Sequence, residues 1–103
     1  MITVRKTDIF AKWMKSLKDS IAKAHIDRRV ERLKNGNPGD HRFLGDMVSE
    51  MRIDYVPGYQ VYYKDTGTEI IILLCGGDKS TQQADIARAK EFAREVGCGD
   101  EDK

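Results

Sequence analysis

The chain has 103 residues, 40% of them hydrophobic and 34% charged, with a net charge of +1, which suits one domain with one modest core. Its longest apolar run, Ile70 to Cys75, is far too short to cross a bilayer, and its first residues lack the charged start and apolar stretch of a signal peptide, so the expected place is the cytoplasm with no membrane partner. The two cysteines mark no disulfide framework and no Cys/His cluster has metal spacing, so no cofactor is expected and His25 and His41 are read as solvent-exposed.

Ile2-Thr3-Val4-Arg5 alternates and is rich in β-branched residues, which predicts a first strand. Thr7 or Asp8 then caps a helix in which Ile9, Phe10, Trp13, Met14 and Leu17 form one apolar stripe. Asp19 or Ser20 caps a second helix. It carries Ala22, Ile26, Val30 and Leu33 inward and Lys23, Arg28, Arg29 and Arg32 outward, and the two helices form a hairpin. The turn-forming run Asn35 to Asp40 ends it. Val48 to Tyr55 alternates, with Ser49, Met51, Ile53 and Tyr55 on one face and Val48, Glu50, Arg52 and Asp54 on the other. Val56-Pro57-Gly58 is a tight turn, and Tyr59 to Lys64 is the antiparallel partner strand, with Tyr59, Val61 and Tyr63 inward. After the turn Asp65-Thr66-Gly67, Glu69 to Cys75 is apolar on both faces and predicts a central strand, which Gly76-Gly77 breaks. The last helix starts near Ser80 or Thr81, where Ser80 and Gln83 fit a capping box. Ile86, Ala89, Ala93 and Val96 form its buried stripe, and Gly97 is its C-cap. Residues 98–103, with Cys98, read as an acidic tail that frays.

That order predicts a single α+β domain over residues 1–97. An N-terminal strand and helical hairpin pack on a twisted, mainly antiparallel sheet, with a C-terminal helix to finish. In this reading the helices share one face of the sheet, and the other face is open and carries Arg52.

Charge is unevenly placed. Residues 1–42 hold 11 Lys/Arg against 5 Asp/Glu, and residues 43–103 hold 7 against 12. A basic half suits a phosphate-facing surface, and a solvated helix face accounts for it as well. The open sheet face gathers Glu50, Arg52 and Asp54 from one strand and Gln60, Tyr62 and Lys64 from its partner. Cations there hold phosphates and rings stack on unpaired bases; cross-strand ion pairs on an ordinary solvated face are the competing reading. Lys79 stands just before a helix N-terminus, where free N–H groups favour an anion, although the P-loop pattern is absent. RNA cleavage without a metal needs a proton taken from the 2′-hydroxyl, charge stabilised on the phosphorane and a proton given to the leaving 5′-oxygen. Arg52, Lys79 and Tyr62 are the candidate catalytic residues, with Lys64 a second candidate for proton transfer. Gln60, Lys64, Arg42 and Lys34 are the candidate RNA-binding residues. Phe43, Leu44 and Met47 offer core packing between loop and sheet or a partner surface.

Phe10-Ala11-Lys12-Trp13, Gly36-Asn37-Pro38-Gly39-Asp40, Val48 to Ile53, Pro57 to Tyr63 and, most specifically, Leu73 to Gln82 with its Gly-Gly-Asp-Lys-Ser-Thr-Gln run resemble the HigB-like branch of RelE/ParE toxins. The resemblance covers nearly the whole chain. It implies a RelE-like fold and the toxin of a type II toxin–antitoxin pair. The implied activity is metal-independent cleavage of mRNA on the ribosome, leaving a 2′,3′-cyclic phosphate and halting translation. The implied partner is a HigA-like helix-turn-helix antitoxin, through which alone the toxin meets operator DNA. The branch's arginine falls at Arg52 and its loop lysine at Lys79. One departure stands out: relatives usually read Gly-Tyr-Arg after the turn, and here the cation is replaced by neutral Gln60. A ParE-type inhibitor of DNA gyrase and a catalytically weakened, toxin-like binding protein are the alternatives.

Overall fold

The computed structural model describes residues 2–96. Gly97, Cys98 and the acidic tail lie outside the described residues. The elements run β1 (Thr3–Lys6), α1 (Asp8–Ser16), α2 (Ser20–Lys34), β2 (His41–Gly45), β3 (Val48–Ile53), β4 (Tyr59–Asp65), β5 (Ile70–Asp78) and α3 (Gln82–Glu95), with a 3-10 turn at Lys79–Thr81.

The helix boundaries follow from local chemistry. Thr7 caps α1: its Oγ1 accepts from the Phe10 N–H at 3.1 Å. The same hydroxyl lies 3.0 and 2.9 Å from the carbonyls of Leu73 and Leu74, which fastens the start of α1 to β5. Asp19 caps α2, its Oδ1 accepting from Ile21 and Ala22. That helix ends in a Schellman motif, with Gly36 N–H bonded to Leu33 O and Asn37 N–H to Arg32 O, both at 2.9 Å. Gly36 takes a φ of +85°, which a glycine adopts without strain.

The strands form one sheet in the order β1-β5-β4-β3-β2. β1 runs parallel to β5, and the other pairs are antiparallel. The α+β class and the dominance of antiparallel pairing agree with the sequence. So does the inward set: Met51, Ile53, Tyr59, Val61, Tyr63, Ile71 and Leu73 pack with Phe10, Ala22, Ile26, Val30 and Leu33 beneath α1 and α2.

Three expectations are corrected. First, the helices do not share one face. α3 covers the opposite face, where Val48, Tyr62, Ile72, Leu74 and Cys75 pack against Ala89 and Ala93. Second, Gly76-Gly77 does not break the central strand, because β5 continues through both to Asp78. A bulge where Tyr62 pairs with Cys75 and Tyr63 with Leu73 sends both Leu74 and Cys75 toward α3. The glycines then meet opposite layers. A Cβ at Gly76 would fall within 3.0 Å of the Trp13 ring, and one at Gly77 within 3.0 Å of the Asp85 carboxylate. They are glycines because other side chains already fill their space, not because the strand ends. Third, Ser80 does not cap α3. Asp78 accepts from the Ser80 N–H at 2.9 Å to close the 3-10 turn, and Thr81 precedes the helix without a side-chain cap.

Arg29 is likewise not an outward cation. Its guanidinium donates to the carbonyls of Arg52, Pro38 (2.8 Å) and Asp40 (3.1 Å), binding the turn before β2 to the end of β3. Desolvation, the largest influence on it, pushes its pKa down. No described helix is long and apolar enough to cross a membrane.

Candidate functional site

Three chain segments converge at one end of the sheet: the start of β2, the β3–β4 hairpin and the exit of β5. Between them lies a cleft of about 300 Å³ lined by Asp40, Arg52, Asp54, Tyr55, Gly58, Gln60 and Lys79, among others. Strand register explains the grouping. Arg52 stands opposite Gln60 and Gln60 opposite Gly77, so one row of the sheet leads from the arginine toward the Asp78-Lys79 turn. Gly58, at φ +96°, turns the hairpin back, and the Lys79 stem lies over it, with Cε 3.5 Å from where a Cβ at Gly58 would stand. Lys79 is thereby held at the rim with an exposed side chain.

Arg52 is 46% exposed at its side chain and pairs with Asp40 at 3.5 Å. Its backbone is fixed separately: Arg52 N–H donates to Asp40 O at 2.9 Å, and its carbonyl accepts from Arg29. The cleft therefore holds two cations, Arg52 and Lys79, and two carboxylates, Asp40 and Asp54. Asp40 escaped the sequence reading because a turn residue carries no periodicity to follow.

The remaining candidates are placed elsewhere. Tyr62 is 0% exposed beneath α3. Burial first, then the charges of Glu50 and Asp85, drive its pKa well above the phenol range, so it cannot act as a base. Lys64 is 5% exposed, and its ammonium donates to the Ala93 carbonyl at 2.8 Å, anchoring α3 to β4. Neither reaches RNA. Both were misplaced by the assumption of an open face. Arg42 pairs with buried Glu50 at 3.3 Å, and Gln82 of α3 donates to the same carboxylate at 2.8 Å. Lys34 pairs with Glu31 at 3.4 Å at the end of α2. Neither Arg42 nor Lys34 lines the cleft. Gln60 does line it, although it is 2% exposed. Tyr62→Phe is therefore expected to change any activity of the cleft less than twofold, since its hydroxyl is sealed beneath α3 and does not line the cleft (roughly the scatter of a neutral substitution). Single-turnover rates of the two proteins check this.

Tyr55, which the alternating pattern assigned to the core, packs against the cluster beneath α1 and α2 and also lines the cleft. Its hydroxyl donates to Asp19 Oδ2 at 3.0 Å, and its ring stacks on His25 with centroids 4.8 Å apart and planes 27° from parallel. His25, expected in solvent, is half-buried in this stack, whereas His41 is exposed as expected. The hydrogen bond from Ala22 N–H and then that from Tyr55 hold the Asp19 carboxyl below its ordinary 3.8. The bond to Asp19 raises the Tyr55 pKa in turn. A carboxylate with a lowered native pKa contributes its cap above the unfolded pKa and loses it as pH falls through the native one. Acid titration below pH 3.8 is thus expected to move the Asp19 carboxyl and Tyr55 ring resonances together, and independent titrations would contradict the link.

No group of three or more His, Cys, Asp or Glu side chains among the described residues is placed to hold a metal ion. Cys75 is buried, and desolvation pushes its thiol up to about 12.

The chain is 47% identical over 96 residues to an uncharacterized protein of Haemophilus influenzae, a match covering 93% of this chain and 97% of that protein. No family model matches the chain. No solved structure matches it.

Proposed function

We propose a function for the family to which this chain and the Haemophilus influenzae protein belong: a RelE-like toxin that cleaves mRNA on the ribosome. The observation that carries this reading is the convergence of Arg52, on β3, and Lys79, in the 3-10 turn after β5, on one open cleft. Two cations at the rim of a groove suit a phosphodiester whose negative charge grows in the transition state. In the proposed reaction the 2′-oxygen forms a bond to phosphorus and the bond from phosphorus to the 5′-oxygen breaks. The products are a 2′,3′-cyclic phosphate and a 5′-hydroxyl. Arg52 and Lys79 neutralise the phosphorane. With Tyr62 and Lys64 buried, proton transfer falls to groups that line the cleft. In this reading Asp54, which lines the cleft, takes the 2′-hydroxyl proton and Lys79 gives one to the leaving oxygen. The partner in this reading is a HigA-like helix-turn-helix antitoxin. Phe43, 68% exposed on edge strand β2, and exposed Met47 next to it form a surface for it to cover.

A second reading, a toxin-like binder without activity, has one observation in its favour. Asp40 already neutralises Arg52, and neutral Gln60 adds no charge. Induction in a bacterial host without antitoxin separates the two, with 5′ ends of a reporter transcript mapped with and without its translation. Cuts confined to translated codons support the nuclease. Unimpeded growth supports the binder. Growth arrest without new 5′ ends points instead to a target such as gyrase.

A further inference from the structure

The cations account for a phosphate in the cleft, and they leave Tyr55 and Gln60 unused. Tyr55 is a half-buried ring on the cleft wall, fixed twice over: its hydroxyl is held by Asp19 at 3.0 Å, and its ring lies on His25. Tyr55 lines the cleft and His25 does not. A ring held from both its edge and its face loses little freedom when a second flat molecule settles on it. Gln60 lines the same cleft, is 2% exposed, and its Oε1 has no hydrogen-bond partner among the described residues. An uncommitted buried amide and a fixed aromatic ring lining one cleft are the equipment for a flat heterocycle with donors and acceptors on its edge. A bare phosphate uses neither group.

We infer that the inner part of the cleft is a nucleobase subsite for single-stranded RNA, in which Tyr55 stacks on the base and Gln60 hydrogen-bonds its edge. This rests on the reading of the cleft as an RNA site and adds to it the part of the substrate that the cations do not touch. Asp19 and His25 are positioning residues, acting through Tyr55. Gln60 then has a task of its own at a place where charge is absent: it reads a base where a cation would hold a phosphate.

The test uses two probes of equal charge, a 2′-O-methylated oligonucleotide that cannot be cleaved and a matched abasic sugar–phosphate chain. Their affinities are measured for the wild-type protein and for Tyr55→Leu, Tyr55→Phe and Arg52→Ala. The wild-type protein is expected to prefer the base-bearing probe roughly tenfold, the size of one stacked base. Tyr55→Leu should bind both probes alike, and Tyr55→Phe, which keeps the ring, should retain most of the preference. Arg52→Ala should weaken both probes by the same factor. A Tyr55→Leu protein that keeps the full preference overturns the subsite while leaving the phosphate site standing, and so does a wild-type protein that binds the two probes equally. Binding of neither probe overturns the RNA reading of the cleft and the subsite with it. A measurement on the wild-type protein alone guards against a variant that does not fold: Tyr55 ring protons should shift on adding the base-bearing probe and stay in place with the abasic one. The absence of that shift while the probe is bound rejects the stack.

Discussion

In the proposed nuclease, Lys79→Ala and Arg52→Ala are each expected to reduce mRNA cleavage by roughly 10²- to 10³-fold, the usual loss when one preorganised charge-stabilising group is removed from a transition state. Stability should barely change. The Arg52–Asp40 pair is solvent-exposed, with side chains 46% and 61% accessible, and such pairs contribute about 0–1 kcal/mol. The backbone bonds at Arg52, to Asp40 and from Arg29, do not involve its side chain and survive the substitution. Lys79 lies exposed across Gly58, so truncating it uncovers a turn rather than a core. The measurement is single-turnover cleavage of a reporter message on purified ribosomes, paired with thermal melting. Normal melting with lost cleavage supports the assignment. Retained cleavage in both variants would remove the two cations from the mechanism. Arg52→Lys should recover part of the rate, because charge returns without the planar fork that grips a phosphate by two oxygens.

Gly76→Ala is expected to be among the most damaging single-atom additions to this chain. The new methyl would fall within 3.0 Å of the Trp13 indole, a separation that real Cβ atoms essentially never show. The ring cannot simply swing aside, because it also packs on Phe10 and Tyr59, with centroids 5.8 and 6.3 Å away. Relief requires α1 to lift from β5, and α1 is fastened there through Thr7. Overpacking of this kind costs about 1–3 kcal/mol. For a domain of this size that lowers the melting temperature by on the order of 10 °C. A double-mutant cycle gives the cause: Trp13→Leu should recover much of the loss in the Gly76→Ala background while destabilising the wild-type chain. Strict additivity of the two changes would mean that the contact is not the source of the cost.

Much of this architecture is legible in the residues. The stripe through Phe10 and Trp13, the alternation from Val48 and the Pro57-Gly58 turn each report a local period or a local φ. Local rules are enough to place α1, α2 and the β3–β4 hairpin. Pairing within that hairpin even sets Arg52 opposite Gln60. The second sheet face was not legible, for an equally physical reason. Glu50, Gln60, Tyr62 and Lys64 alternate with apolar neighbours as solvated positions do. Their burial depends on partners far along the chain: Ala93 O for Lys64 and Gln82 for Glu50. α3 gives little warning of its own, since its fully buried residues are two alanines and Asp85. The cleft was legible in half. Arg52 and Lys79 stood out as cations on a face and in a loop. Asp40 and Tyr55 became part of the site only when the turn before β2 folded against the hairpin.

The parallel pairing of β1 with β5 also fixes an order of events in the life of the chain. Thr3 finds its partner at Ile70 and Lys6 at Leu73, so the first strand made must wait for the last. β5 stands between β1 and β4 in the sheet, and Lys79 follows it directly. A nascent chain halted before Ile70 lacks β5, the partner of both β1 and β4, and it lacks Lys79 from the cleft. Closing so long a loop is entropically costly and comes late in folding. If the site does attack translating messages, it can do so only once β5 has joined the sheet and set Lys79 at the cleft rim.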